Sequence, residues 1–360
     1  VLTIMENAEV INLKASNGEL DYVMHQTTLG NWRLYKENEQ SGDYRVLRWT
    51  TNRSNEVGLI VNQTPPDPAK REIQQDLRFR KALSLAINRE EINQAIFYGL
   101  ARVSGDTVLP RSPLFRQKYA DAWCRYDPDA ANQLLDELGL DKRDSDGIRL
   151  LPDGRRAEII LETAGESSEQ SDVLELVKDT WREVGLALFP RPTQRDLFRA
   201  RAFAGQSIMS VWAGHNNGLP NPSTRPDFLA PVSQAQLQWP DWGLWVQTGG
   251  KQGTPPELPA AQRLLDLLGE WRRAEDEDAQ IRVWHDMLEL YAENLFTIGI
   301  VNATKQPGVT APKLRNVPAD GVFAFEPGGY FGVYNPDTFW FDTGADNRPE
   351  AVTSKTVEGR

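Results

Sequence analysis

Apolar residues recur at helical spacing along 76–99: Leu77, Ala82, Leu83 and Ala86, then Ile92, Ala95 and Ile96. This period lays one apolar stripe along a helix, and it predicts two helices meeting at Asn88. The Asn88 side chain can cap the second helix, with Glu91 three residues on completing a capping box and Gly99 ending the run. Asp127-Pro128 predicts another helix start and Gly139 its stop. After turns at Asp146-Gly147 and Asp153-Gly154 come an apolar strand over 157–161, an amphipathic helix over 171–184 and a strand over 186–189. That order is the mark of a βαβ unit. Two further amphipathic helices are expected over 260–273 and 276–293, followed by a buried strand over 296–301. Earlier in the chain, 1–57 mixes short α/β elements with turns at Asn17-Gly18 and Ser41-Gly42, and 44–49 alternates like a strand. An apolar strand over 57–62 then runs into Thr64-Pro65-Pro66-Asp67-Pro68, which no central strand can cross. Between 207 and 253 helical periodicity fades and Gly, Pro, Asn and Trp dominate, the profile of a long functional loop region. The stretch from 302 to 342 is extended and turn-rich, and the polar tail 343–360 is expected to be disordered.

Composition changes this picture in three ways. A chain of 360 residues exceeds what one hydrophobic core usually supports, so two lobes are expected, with a boundary near Val57. The 11 tryptophans are more than a core of this size needs, which calls for a role outside packing. A net charge of −11 excludes sequence-blind binding to phosphate backbones, so nucleic acid is not an expected partner. Cys124 is the single cysteine and can form no internal disulfide. No apolar run reaches the roughly 20 residues that span a bilayer. Val1-Leu2-Thr3-Ile4-Met5 carries neither a charged n-region nor an apolar h-region, so any export signal is expected upstream.

Candidate chemistry is sparse. His25, His215 and His285 lack a second His or Cys at ligand spacing, so no metal site is expected. The run 141–147 has Lys142 where a calcium loop needs a ligand and reads as a solvated turn. Ser207 lacks the flanking glycine of a nucleophile elbow, and no phosphate loop or other cofactor motif appears. Asp241 and Glu257 could form a carboxylate pair for glycoside hydrolysis, the one enzymatic alternative. The informative constellation is aromatic and amide-rich: Trp212, His215, Asn216 and Asn217, then Trp242 and Trp245 among neighbouring tryptophans. Flat rings that cover ligand surface, with amide and imidazole groups that orient it, suit recognition and not turnover.

Several segments resemble family 5 of the extracytoplasmic solute-binding proteins, the oligopeptide- and dipeptide-binding group. Phe79-Arg80-Lys81-Ala82-Leu83-Ser84-Leu85-Ala86-Ile87-Asn88-Arg89-Glu90-Glu91-Ile92 is similar to the family signature. Asn17-Gly18-Glu19-Leu20-Asp21, Tyr126-Asp127-Pro128-Asp129 with Leu134-Leu135, and Trp181 to Leu186 resemble further family elements. The resemblance implies an α/β, periplasmic-binding-protein-like class II (cluster C) fold, two lobes joined by hinge strands, here lacking the N-terminal part. Residues 1–57 would belong to the first lobe, 58–301 to the second with ligand-facing loops over 207–253, and 302–342 would return to the first. It further implies a non-catalytic, cofactor-free component of an ABC importer. That component would be periplasmic or extracellular, with or without a lipid anchor, and monomeric at full length. It would capture a peptide, oligosaccharide or related polar solute between its lobes and pass it to membrane permease subunits. Peptide-binding members place an acid in a Trp-x-x-Asp element; Trp212-Ala213-Gly214-His215 puts His215 there, which weakens the case for a peptide and favours a neutral solute. A ligand-sensing receptor module is the remaining alternative.

Overall fold

A computed structural model describes residue 5 and residues 7–324 and 333–343; the expected tail lies outside the described residues from 344 onward. The described residues divide into two compact units, one comprising residue 5 with 7–49, 306–321 and 333–343 and the other 50–305 and 322–324.

In the smaller unit, Asn7 caps the helix Ala8–Ser16, its side chain accepting from Glu9 N at 2.7 Å. This helix and Trp32–Asn38 pack around Ala15, Tyr35, Tyr44 and Val309. Burying two tyrosines leaves two hydroxyls to satisfy. Tyr44 donates to the Tyr35 carbonyl at 2.7 Å, and the Tyr35 hydroxyl reaches Asn12. The strand Tyr22–Val23 pairs antiparallel with the end of Lys305–Thr310.

The larger unit is built on a five-stranded sheet in the order Ala187–Pro192, Glu158–Thr163, Met209–Trp212, Gly58–Val61, Thr297–Gly299. Glu158–Thr163 runs parallel to both of its neighbours, and Gly58–Val61 antiparallel to both of its own. Gly58–Val61 lies inside the sheet and is buried throughout, as its unbroken apolar sequence requires. Ala187–Pro192 is an edge strand, where Pro190 and Pro192 withhold no needed N–H from a partner. The βαβ unit is present, with the helix Ser168–Glu183 between the two parallel strands.

The signature helices are Leu77–Leu85 and Arg89–Phe97. Asn88 caps the second one through Glu91 N at 3.2 Å. The two signature arginines, Arg80 and Arg89, are each only 1% exposed. Arg89 donates to the carbonyls of Gly299 and Ser84 at 2.8 Å each and to the Ser84 hydroxyl at 2.7 Å. Arg80 donates to the Asn294 carbonyl at 2.7 Å and to Gln63 Oε1 at 3.1 Å. Both guanidiniums tie separate elements together inside the core by donating to oxygen acceptors on each.

Unit boundaries fall at 49/50 and 305/306, several residues from the expected 57 and 301. The reason is the packing of the connecting segments. Asn55 accepts from Ile300 N at 2.9 Å and donates to the Ser104 carbonyl at 3.2 Å, while Asn302 donates to the Ser54 carbonyl at 3.2 Å. These buried amides hold 52–56 and 300–304 inside the larger unit.

Candidate functional site

The strand Met209–Trp212 delivers the chain into a loop at 213–218 whose backbone is fixed on two sides. Ser54 N donates to the His215 carbonyl at 3.0 Å, Gly214 N to the Asn55 carbonyl at 2.8 Å, and Gly218 N to the Asn52 carbonyl at 2.6 Å. Leu109 N donates to the Gly218 carbonyl at 2.7 Å. The loop is therefore tied both to 52–55 and to Leu109.

His215, Asn216 and Asn217 line one wall of a pocket of about 210 Å³; Arg225, Phe228 and Trp284 contribute to the rest. The His215 ring lies 4.6 Å from the Phe228 ring, and its Nδ1 is shielded from solvent without a hydrogen-bond partner. Burial pushes the imidazole down to about 4, so it is neutral at physiological pH. Asn217 Oδ1 accepts from Leu219 N at 3.2 Å, an Asx turn that leaves its amide N–H groups available. Arg225 is the one charged side chain among the lining residues, and it is ion-paired with Asp227 at 2.9 Å. Trp284 is anchored by its indole N–H, which donates to the carbonyls of Thr224 at 3.0 Å and Pro222 at 3.2 Å. Trp271 also donates to the Pro222 carbonyl, at 3.0 Å. Two tryptophans thus hold the 222–224 stretch of the pocket rim in place.

The other sequence candidates lie elsewhere. Trp242 is 1% exposed and sits with Trp239 in the core formed with Tyr291 and Phe296, so packing, not ligand contact, is its role. Trp212 stacks on Phe198 with ring centroids 5.7 Å apart and 11° between planes, and the guanidiniums of Arg195 and Arg199 lie over it at 5.2 and 5.9 Å. Trp245 covers the turn after its own helix, within 3.5 Å of where a Cβ on Gly250 would stand. None of these three lines the pocket. Asp241 is engaged by the Thr254 hydroxyl, and Glu257 accepts from Gln75 at 3.4 Å. Neither carboxylate lines the pocket.

Phe228, Arg225 and Trp284 went unnoticed in the sequence, and so did Asp106, beneath the loop. Asp106 Oδ1 accepts from the Ser54 hydroxyl at 2.6 Å, while Oδ2 is buried without a partner. Burial pushes this carboxyl up to about 6. No periodicity marks a residue in a connection such as Ser104-Gly105-Asp106-Thr107; its environment is assembled from Ser54, Gly214 and Tyr291, all remote in sequence. Among the described residues no group of three or more His, Cys, Asp or Glu could hold a metal ion, and no helix is long and apolar enough to cross a membrane.

Residues 1–235 match the family described as bacterial extracellular solute-binding proteins, family 5 Middle. The chain belongs to this family. Its fold agrees: the family 5 chain is similar to the oligopeptide-binding protein OppA, with a TM-score of 0.72, 33% identity and coverage of 94% of this chain and 56% of that one. It is similar in fold to a periplasmic binding protein of Agrobacterium fabrum solved with stachyose, with a TM-score of 0.74, 17% identity and coverage of 97% and 52%. In sequence it resembles the periplasmic alpha-galactoside-binding protein of Rhizobium meliloti, at 23% identity over 273 residues, or 72% of this chain and 37% of the relative. The chain thus spans well under two thirds of the length of the relatives it matches.

Proposed function

We propose that the protein is the solute-capturing component of an ABC importer. It works outside the cytoplasmic membrane, delivers its cargo to permease subunits and performs no catalysis. The cargo proposed is a neutral polar solute, an oligosaccharide in preference to a peptide, received by His215, Asn216 and Asn217. The observation that carries this reading is the character of the pocket wall: a neutral imidazole and two amides, with Arg225 already neutralised by Asp227. A peptide's ammonium would be desolvated there without a carboxylate to meet it, which costs several kcal/mol. Sugar hydroxyls, by contrast, match amide donors and acceptors and pack their faces on rings such as Phe228. The relatives that bind stachyose and alpha-galactosides make such a cargo chemically reasonable for this family.

Calorimetric titration of the intact protein with stachyose and with a pentapeptide tests the reading. Saturable heat is expected with the sugar and none with the peptide, and Asn217→Ala should weaken sugar binding about tenfold, the value of one well-placed hydrogen bond. Binding of the peptide alone would refute the choice of cargo.

A further inference from the structure

The loop that carries His215, Asn216 and Asn217 rests on a buried carboxyl that no packing need explains. Asp106 is 7% exposed and Ser54 fully buried. Their 2.6 Å hydrogen bond lies directly against Gly214: a Cβ at that position would stand 2.1 Å from Ser54 Oγ and 2.5 Å from Asp106 Oδ1. Ser54 is thus joined to the loop through its N–H, which holds the His215 carbonyl, and to Asp106 through its hydroxyl. Asp106 also lies three residues before Leu109, whose N–H holds the Gly218 carbonyl. Both segments that tie the loop are therefore linked through one carboxyl, and its second oxygen has no donor.

We propose that Asp106 is the positioning residue of the 213–218 loop: neutral, it seats the loop base tightly, and ionised, it loosens it. This rests on the loop being the solute-binding element, as argued above. The direction follows from electrostatics. A carboxylate with one hydroxyl donor is poorly solvated in this site, so ionisation favours arrangements in which the loop base parts and water reaches Oδ2. The neutral acid carries no such penalty. Burial displaces its titration upward, to about 6.

Neither Tyr291 nor His215, the shifted groups beside Asp106, titrates near that pH. The Tyr291 hydroxyl faces it from the helix Glu277–Asn294, is bonded to Thr297 at 2.9 Å and is held well above its ordinary value by burial. His215, whose carbonyl Ser54 N holds, has already lost its proton above about 4. Glu56, on the same segment as Ser54, is ion-paired with Arg53.

Hydrogen exchange of the Gly214 and Gly218 amides in the ligand-free intact protein reads the loop directly. Corrected for intrinsic rates, their protection should fall about tenfold between pH 5 and pH 8 in the native protein. It should stay high and flat in Asp106→Asn, whose amide keeps the acceptor for Ser54 but cannot ionise. Ser54→Ala, which removes the carboxyl's one donor, should move the fall in protection to higher pH and serves if the first variant misfolds. A native profile that is already flat, one that keeps its slope in Asp106→Asn, or one left in place by Ser54→Ala would overturn the proposal. Stachyose titration of the same variants separates the two readings: failure of every solute to bind speaks against the loop as the solute site, whereas the exchange profiles decide the role of Asp106 on their own.

Discussion

Ser54 is hydrogen-bonded both to the Asp106 carboxyl and to the His215 carbonyl, and burial moves the proton equilibria of these two residues in opposite directions. The Asp106 carboxyl rises to about 6 and the His215 imidazole falls to about 4. Between pH 4 and 6 the folded protein keeps a proton on Asp106 that the unfolded chain has released, so this group makes stability fall as pH rises and leaves a constant cost above 6. His215 works the other way. The unfolded chain binds its proton near 6.5 and the folded protein does not, so stability is lost as pH falls from there toward 4. The two slopes offset each other in the native protein. Asp106→Asn should therefore gain about 2–3 kcal/mol at pH 8, from a displacement of about two pH units, and nothing below pH 4. Urea unfolding at both pH values checks this, and equal stabilisation at both would refute it. At this scale the sequence marked His215, Asn216 and Asn217 as candidates, because amide and imidazole groups in a loop suggest recognition, and the three line one pocket. It was opaque for Asp106, whose importance comes from Ser54 and Gly214, brought beside it only by folding. It misled for Trp242, since a buried and a ligand-facing indole look alike until the core is seen.

Elements with their own punctuation were easily read. Asn88 and Asp127 cap the helices they were expected to cap, and Gly99 and Gly139 end theirs with φ of 67° and 86°, where a side chain would be strained. The helix expected over 171–184 begins earlier, at Ser168, because Ser167 caps it and its first turn is polar and shows no apolar period. The strand expected over 186–189 continues to Pro192, since an edge position tolerates prolines. Within 207–253 the strand Met209–Trp212 and the helix Pro240–Gln247 are too short to show a period. The family signature gains a physical meaning here, as its arginines bind internal carbonyls. Arg89→Met would remove the guanidinium donors from the Gly299 carbonyl and from the Ser84 carbonyl and hydroxyl, leaving the Ser84 carbonyl to backbone donors such as Ile87 N at 3.3 Å, and should cost at least about 3 kcal/mol in urea unfolding. Arg89→Lys should recover only part, since an ammonium cannot reach both elements as the planar fork does. A loss within about 0.5 kcal/mol for Arg89→Met, the range of an ordinary surface substitution, would contradict that role.

For the whole molecule, the sequence motifs led to the family, and the matched residues 1–235 carry that assignment. The division into two units was expected from length alone, whereas the segments that join them belong to the larger unit through the buried amides of Asn55 and Asn302. In the proposed function, what the protein captures depends on a few side chains in one loop, which composition cannot reveal. The most direct measurement is native mass spectrometry of the intact protein, purified without denaturant, compared with its His215→Ala and Asn217→Ala variants. The account predicts an added mass equal to a neutral oligosaccharide on the native protein, absent or much reduced in both variants. A retained peptide, or an oligosaccharide held equally by all three proteins, would contradict it.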